Sequence, residues 1–201
     1  FFEVQLRQEI PDFLPPFHRV GLVYAVQHRE AVDGYRRVLE DAGREVVLGG
    51  KPSFMATHRG QVTGCDVAAA RMVLDSVDGF VVAADGLFHA NAVASLGKPT
   101  FNWLGEAAEA PKYPLAALFT AESVGIIVGT KPGQGYHEEA REARKRLEEK
   151  GKSVLLVAAD VLTPEVTNFD VDFWVVAACP RAAEDEYLKP SAPVNEVLRH
   201  L

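Results

Sequence analysis

The sequence predicts an α/β protein made of two similar domains, each with a parallel sheet flanked by helices. Short apolar runs rich in β-branched residues alternate with helical patterns, which is typical of strands buried on both faces. Gly43 and Gly151 follow the two clearest helical patterns, where a helix end favours a left-handed residue. The order strand, helix, strand occurs twice, about a hundred residues apart.

The first copy of this unit begins with an apolar strand at 20–23 (VGLV). A helical pattern follows at 30–42, and the next strand is predicted at 44–48. The second copy has the same plan, with strand, helix and strand at 124–127 (VGII), 137–150 and 153–157.

A further pair of buried strands supports the repeat. Residues 77–85 (VDGFVVAAD) align with residues 171–179 (VDFWVVAAC), and both runs end at a polar or reactive residue. Ligands of open α/β sheets collect at the carboxyl ends of the strands. Cys179 is therefore predicted at a position suited to chemistry, with Asp85 as its counterpart in the first copy.

The repeat sets the predicted domain boundaries. We expect a tail of a preceding domain at 1–17, with a strand at 2–6, because the chain begins without Met and reads as a fragment. The domains and their connection are predicted, in chain order, at 18–104, 105–120 (linker) and 121–201.

Composition excludes several classes of protein. Of 201 residues, 21 are Lys or Arg and 28 are Asp or Glu, and the resulting net charge of −7 argues against a surface for direct nucleic-acid binding. No apolar run reaches the roughly 20 residues that cross a membrane, and no signal peptide opens the chain. We therefore expect a cytoplasmic protein without membrane contact.

Cys65 is one of only two cysteines. It lies in the glycine-flanked turn 60–66 (GQVTGCD), just before a helical run predicted at 67–74. The free N–H groups and positive end of a helix favour a thiolate, which is the form that binds metal. A thiol that only packs in the turn is the alternative.

Cys179 lies in residues 177–181 (AACPR). Pro180 ends the strand, and Arg181 would lower the pKa of a neighbouring thiol or hold a substrate carboxylate. A packed thiol or a structural disulfide remains open here as well. Because neither cysteine has a close second cysteine, a metal shared by the two would have to be assembled between the domains.

Three other features, the loop at 130–135 and two histidines, are candidates for chemistry. The loop 130–135 (TKPGQG) follows a strand and precedes a helix, so it would hold an anion or simply form a tight turn. His28 and His89 each follow a predicted strand, where a surface or capping role competes with lining a crevice. The absence of a G-x-S-x-G motif argues against a serine hydrolase.

Taken together, these residues resemble the diphthamide-synthesis family. The resemblance covers the chain from about residue 20 onward, and its most specific parts are the GQVTGCD and ACPR segments. The matching segments, in order, are 26–28 (VQH), 60–66 (GQVTGCD), 88–89 (FH), 97–99 (GKP), 124–128 (VGIIV), 130–134 (TKPGQ) and 178–181 (ACPR).

The resemblance implies a specific reaction. Members of the family have three similar α/β domains, each supplying one cysteine to a 4Fe–4S cluster that binds S-adenosylmethionine. A 3-amino-3-carboxypropyl radical derived from S-adenosylmethionine is transferred to a histidine of translation elongation factor 2, the first step of diphthamide formation. The full-length protein is expected to be a homodimer.

The same resemblance implies roles for particular residues. Cys65 and Cys179 would be the cluster ligands of the second and third domains, and no catalytic residue beyond these ligands is expected. The residues expected to bind S-adenosylmethionine are Lys131, Gln134 and Arg181, followed by Gln61, Asp66 and His89.

The chain also departs from the family pattern, because it has two cysteines where the cluster needs three. Alone, it is expected to be inactive. Two other functions remain open: a non-catalytic iron–sulfur partner subunit of the same pathway, and an unrelated two-lobed α/β module that binds a small ligand.

Overall fold

The chain forms two compact units, one ending at Pro111 and the other beginning at Lys112. Each unit contains one four-stranded parallel sheet flanked by helices, which confirms the predicted fold class. The boundary between the units falls inside the segment 105–120 that the sequence suggests as a linker. The computed structural model describes residues 9–51, 56–133, 135–179, 182–183 and 187–201.

The first unit has the strand order β2-β1-β3-β4, with all neighbouring strands parallel. Short 3₁₀ turns accompany its strands and helices. Its strands are β1 (Arg19–Tyr24), β2 (Glu45–Leu48), β3 (Gly79–Ala83) and β4 (Thr100–Asn102). Its helices are α1 (Val32–Asp41), α2 (Ala68–Arg71) and α3 (Leu87–Ala94).

The second unit repeats this topology with the order β6-β5-β7-β8, again all parallel. A 3₁₀ helix, Pro164–Thr167, connects β6 to β7. Its strands are β5 (Ser123–Gly129), β6 (Ser153–Ala159), β7 (Phe173–Ala177) and β8 (Ser191–Pro193). Its helices are α4 (Leu115–Thr120), α5 (His137–Glu149) and α6 (Val194–His200).

The predicted helix stops are present in both units. Gly43 follows α1 with a φ of 77°, and Gly151 follows α5 with a φ of 79°. This left-handed backbone is strained for residues with a Cβ atom, which explains why both helices end at glycine. On α5 the apolar side chains recur at Ala140, Ala143 and Leu147, all buried against the sheet.

Each of the two units has, in its core, a glycine on one strand beside an aromatic residue on the next strand. Gly21 on β1 lies beside Phe80 on β3, and a Cβ atom at Gly21 would come within 2.5 Å of the ring. In the second unit Gly125 on β5 lies beside Trp174 on β7, where a Cβ atom would come within 2.3 Å of the indole. Each glycine thus makes room for a large aromatic side chain on the neighbouring strand.

In both units an aspartate just before the third strand forms hydrogen bonds at the start of the first strand. Asp78 accepts hydrogen bonds from the backbone and side-chain N–H groups of Arg19, and these bonds lower the pKa of its carboxyl. Asp172 occupies the same place before β7 and accepts from the N–H groups of Glu122 and Ser123, so its pKa is also lowered. The aspartate of the Val-Asp pair that begins both aligned runs therefore joins two neighbouring strands in each unit.

The proposed tail and linker contribute to the cores. The strand predicted at 2–6 lies outside the described residues. Phe13 and Phe17 pack against the first core, and Phe13 accepts a 2.7 Å hydrogen bond from the Tyr35 hydroxyl through its carbonyl. In the second unit Leu118 of α4 is fully buried. No helix in the described part of the chain is long and apolar enough to cross a membrane.

Candidate functional site

The turn that carries Cys65 is attached to the carboxyl end of β1. The Tyr24 N–H donates to the Gly60 carbonyl at 3.0 Å, and the Val62 N–H donates to the Tyr24 carbonyl at 2.9 Å. These bonds extend the sheet by one short bridge between Tyr24 and Gln61. The turn is thereby fixed at the edge of the sheet where parallel α/β folds bind ligands.

Cys65 is exposed at the tip of this turn and forms no disulfide. The Thr63 hydroxyl lies 3.4 Å from its Sγ atom. The same hydroxyl accepts a hydrogen bond from the Asp66 N–H at 3.0 Å, and the Asp66 carboxylate accepts one from the Ala68 N–H at 3.0 Å. The thiol is therefore presented to solvent by a turn with a defined conformation.

The helix after Cys65 is shorter than the sequence predicts. The predicted helical run at 67–74 forms the four-residue α2 (Ala68–Arg71) and then a 3₁₀ turn at Leu74–Ser76. A helix dipole is the sum of aligned peptide dipoles, so a single turn contributes little to stabilising a thiolate. The geometry of the turn is the stronger reason to regard Cys65 as a metal ligand.

Gly64 allows the turn to pack on α3. A Cβ atom at Gly64 would lie 2.0 Å from the Phe88 ring, so no larger residue fits without movement. Phe88 in turn stacks edge-to-face on His89, with ring centroids 5.0 Å apart. The cysteine turn and the start of α3, two segments singled out in the sequence, therefore lie against each other.

Gln61 and Asp66 stabilise the turn itself. The buried Gln61 side chain accepts a hydrogen bond from the His58 N–H at 3.0 Å through Oε1. The Asp66 carboxylate accepts the hydrogen bond from the Ala68 N–H at the start of α2. Both side chains thus position Cys65, and their direct contact with a ligand stays a prediction.

A polar cluster, with His28 and Trp103 buried and Asp85 exposed, lies beyond the carboxyl ends of β1, β3 and β4. The Trp103 indole N–H donates to one Asp85 carboxylate oxygen at 3.3 Å, and the other oxygen lies 3.7 Å from His28 Nε2. His28 is only 4% exposed and packs edge-to-face on Trp103 at 4.7 Å. Its Nδ1 atom is buried without a hydrogen-bond partner in the described part of the chain. His28 is thus a core residue, and the expected surface or capping role is wrong.

Both histidines near this cluster have a lowered pKa. Burial lowers the pKa of His28, although the nearby Asp85 carboxylate acts in the opposite direction. Burial also lowers the pKa of His89, and the proximity of His28 lowers it further. Neutral imidazoles can donate or accept a hydrogen bond without placing a fixed positive charge near a ligand.

In the second unit, Cys179 lies two residues beyond the end of β7. It is partly buried and forms no disulfide, and its carbonyl accepts a hydrogen bond from the Ala182 N–H at 2.9 Å. The preceding Ala178 is buried with Val176 and Ala183. The thiol therefore stands at the carboxyl edge of the second sheet, as predicted, while Pro180 and Arg181 lie outside the described residues.

The loop after β5 reaches the same edge. Lys131 is exposed in this loop, and Gly133 adopts a left-handed backbone with a φ of 76°. The Tyr136 N–H donates to the Ala177 carbonyl at the end of β7. The loop that carries Lys131 is thus joined to the strand that leads to Cys179; Gln134 lies outside the described residues.

The predicted site residues therefore fall into two groups. Those of the first unit gather at the carboxyl edge of its sheet, and Lys131 and Cys179 gather at the carboxyl edge of the other. Among the described residues, no three His, Cys, Asp or Glu side chains come close enough to hold a metal ion. Sequence reasoning missed Trp103, for which the only available signal was a large aromatic residue near the end of the predicted first domain. The predicted site residues at the carboxyl edge of the first unit's sheet are Gln61, Cys65, Asp66 and His89.

Comparison with known proteins agrees with the fold. The model of the family described as "Putative diphthamide synthesis protein" matches residues 112–195. The 2-(3-amino-3-carboxypropyl)histidine synthase of Pyrococcus horikoshii is 28% identical over 92% of this chain and 63% of that protein. Subunit 1 of the corresponding synthase of Yarrowia lipolytica is 24% identical over 83% of this chain and 41% of that protein.

A solved structure shows the same fold. The crystal structure of Dph2 from Pyrococcus horikoshii with a 4Fe-4S cluster superposes with a TM-score of 0.77 at 25% identity. The match covers 90% of this chain and 56% of that one. The chain thus spans only part of these proteins, between 41% and 63% of their length.

The fold and the edge cysteines define a repeated parallel α/β protein with two potential metal-binding thiols. The chain is similar to proteins of diphthamide synthesis: residues 112–195 match that family's model, and the relatives above are named as histidine-modifying synthases.

Proposed function

We propose that the chain is part of an enzyme that transfers the 3-amino-3-carboxypropyl group of S-adenosylmethionine to a histidine of translation elongation factor 2. This is the first step of diphthamide formation. The observation that carries the proposal is the placement of both cysteines, each free and each at the carboxyl edge of its own sheet. The names of the relatives support the type of product, a histidine that carries a 3-amino-3-carboxypropyl group.

The two thiols fit a 4Fe–4S cluster by their chemistry and surroundings. Iron–sulfur clusters are held by cysteine thiolates, which must be accessible at a fixed position. Cys65 is exposed on a hydrogen-bonded turn, and Cys179 is partly buried at the end of a core strand. Since the chain has two cysteines, a third protein ligand must come from outside these 201 residues. We therefore expect the chain alone to be inactive.

When bound, the cluster would supply the electron that breaks a C–S bond of S-adenosylmethionine and releases a 3-amino-3-carboxypropyl radical. The protein's own side chains would orient that co-substrate. Lys131, Gln134 and Arg181 are proposed to bind its carboxylate through cationic or amide donors. His89, whose pKa is lowered by burial, is proposed to form a hydrogen bond with S-adenosylmethionine.

Partners and location follow from this reaction. Elongation factor 2 is the proposed protein substrate, and the full-length protein is proposed to act as a homodimer in the cytoplasm. The net charge of −7 supports binding of a protein rather than direct contact with nucleic acid.

Cysteine substitution in the full-length protein tests the proposal. We expect Cys65→Ala and Cys179→Ala each to abolish transfer of the labelled aminocarboxypropyl group and to remove the reduced-cluster signal in electron paramagnetic resonance. The far-UV circular dichroism spectrum should be unchanged, because neither thiol fills a core position. Ser95→Ala, at an exposed hydroxyl, is the matched control and should keep both signals.

The outcomes separate the possible functions. Cluster formation without transfer to elongation factor 2 would indicate the non-catalytic partner subunit. Failure to bind iron and sulfide under anaerobic conditions, in the full-length protein, would leave only the ligand-binding module. Normal turnover by either cysteine variant would refute that ligand assignment.

A further inference from the structure

The turn around Cys65 places a hydroxyl group beside the thiol. Thr63 Oγ1 lies 3.4 Å from Cys65 Sγ, a distance at which a hydroxyl and a sulfur atom form a hydrogen bond. The same oxygen accepts a hydrogen bond from the Asp66 N–H at 3.0 Å. Because one lone pair of the oxygen is used in this way, the hydroxyl proton points elsewhere and can be donated to the sulfur.

The charge of the sulfur decides which of the two atoms is the donor. A thiol and a hydroxyl can each donate to the other, but a cysteine that binds iron is a thiolate and has no proton to give. When Cys65 acts as a cluster ligand, the Thr63 hydroxyl must therefore be the donor. A hydrogen bond to a charged acceptor is roughly twice as strong as one between neutral groups.

Neighbouring hydrogen bonds make the Thr63 hydroxyl a better donor. Hydrogen bonds in a chain polarise one another, so an oxygen that accepts from the Asp66 N–H holds its own proton less tightly. The Asp66 carboxylate in turn accepts from the Ala68 N–H at 3.0 Å, which keeps Asp66 in place at the start of α2. The contact with sulfur is thus the last link of a chain of hydrogen bonds within one turn.

The backbone holds the hydroxyl at this distance from the sulfur. The Thr63 N–H donates to the Asp66 carbonyl at 2.9 Å, which closes the turn that contains the cysteine. On one side, the Val62 N–H is bonded to the Tyr24 carbonyl at the end of β1. On the other side, Gly64 packs on an aromatic ring of α3. The fold therefore sets the position of the hydroxyl relative to the sulfur.

We propose that Thr63 is a positioning residue for the cluster: its hydroxyl donates a hydrogen bond to the Cys65 thiolate and raises the reduction potential of the bound cluster. The inference rests on the proposed function, since it takes Cys65 as an iron ligand. An electron from an external one-electron reductant adds negative charge to the iron and its sulfur ligands. A hydrogen-bond donor stabilises this added charge, and hydrogen bonds to the sulfurs are among the factors that set the potential of such clusters.

Two substitutions separate this role from a purely structural one. Thr63→Val replaces the hydroxyl by a methyl group of similar size, so the donor is lost while the shape of the side chain is kept. The Asp66 N–H also lies 3.4 Å from the Thr63 carbonyl, so it keeps a backbone acceptor in this variant. Thr63→Ser retains the hydroxyl. A threonine that only filled space in the turn would give variants with the potential of the parent.

Redox titration of the full-length protein, reconstituted with iron and sulfide, tests the proposal. We expect Thr63→Val to make reduction of the cluster about tenfold less favourable, which for one electron is a shift of roughly 59 mV to a more negative potential. Thr63→Ser should keep the potential of the parent, because it retains the donor. Thr120→Val is the matched control: it removes an exposed hydroxyl that donates to the Ala117 carbonyl in the other unit, and it should not shift the potential.

Electron–nuclear double resonance of the reduced protein in D₂O detects the contact itself. The hydroxyl proton exchanges with solvent, so the parent and Thr63→Ser should show a coupled deuteron that Thr63→Val lacks. An unchanged potential in Thr63→Val, or no loss of this signal, would overturn the proposal and leave the cluster assignment intact. A parent spectrum without a coupled deuteron would do the same, whether or not Thr63→Val assembles a cluster. Failure of the parent to assemble a cluster would overturn both the inference and the proposed function.

Discussion

Asp85 and Cys179 occupy the same place in the two sheets, two residues beyond the ends of β3 and β7. Their surroundings differ. Asp85 is held by the Trp103 indole and lies near the buried His28, whereas Cys179 follows a buried alanine at the edge of an apolar cluster. The repeated fold supplies the position, and the individual residue decides the chemistry that is possible there.

His28 should make the stability of the first unit depend on pH. Its folded-state pKa lies below that of a free imidazole, about 6.5, so the unfolded chain takes up the proton more readily. The contribution of neutral His28 to the free energy of unfolding is therefore present above pH 6.5 and is lost as the pH falls below that value. We expect His28→Gln to flatten the stability profile between pH 7 and pH 5 in urea denaturation, which reports the free energy of unfolding.

The control for this prediction is His18→Gln, which changes an exposed histidine of the same unit and should keep the parent's pH dependence. If the parent and His28→Gln lose stability equally over this range, burial of His28 is not the cause.

At the scale of elements, the alternation of strands and helices was predictable because it depends on local pattern. α5 (His137–Glu149) and α1 (Val32–Asp41) lie within the predicted spans 137–150 and 30–42. The short α2 was not predicted correctly. Its length depends on how residues 67–76 pack against β1, and periodicity within the segment does not contain that information.

The glycine–aromatic pairs give a test at this scale. Gly21→Ala and Gly125→Ala should each lower the free energy of unfolding by about 1–3 kcal/mol, because a Cβ atom would overlap the Phe80 or Trp174 ring. Gly86→Ala is the matched control, with open space around its Cβ position and a φ of −130°. We expect the control to stay within about 0.5 kcal/mol of the parent in chemical denaturation.

These outcomes are diagnostic for the packing argument. If the two strand variants are as stable as Gly86→Ala, the rings must move without cost, and the repeated pair would have no structural role.

For the whole molecule, the repeat predicts two domains, and the structure shows two units with separate cores. The second core extends further toward the N-terminus than the predicted start at residue 121. Leu118 is fully buried in it, with Tyr113 and Leu115 packed alongside. The Lys152 ammonium also donates to backbone carbonyls at the end of α4.

Truncation tests this boundary. Residues 112–201 expressed alone should unfold cooperatively with the circular dichroism of an α/β fold, since the unit contains its own sheet and core. Residues 121–201 should be less stable by at least the roughly 2–5 kcal/mol that removal of a buried leucine costs. Leu118→Ala in the longer piece is the matched comparison and should lose an amount in that range. Equal stability of the two pieces would show that α4 does not belong to the second unit.

The sequence by itself determined the α/β class, the repeat, the helix stops and the two cysteines at strand ends or turns. These features depend on residue pattern and on the backbone preferences of glycine, which are local. The tertiary structure alone decided that His28 is buried beside Trp103 and Asp85, that Gly64 packs on Phe88, and that β6 is an outer strand of its sheet. Such facts depend on contacts between residues far apart in the chain, and no local pattern encodes them.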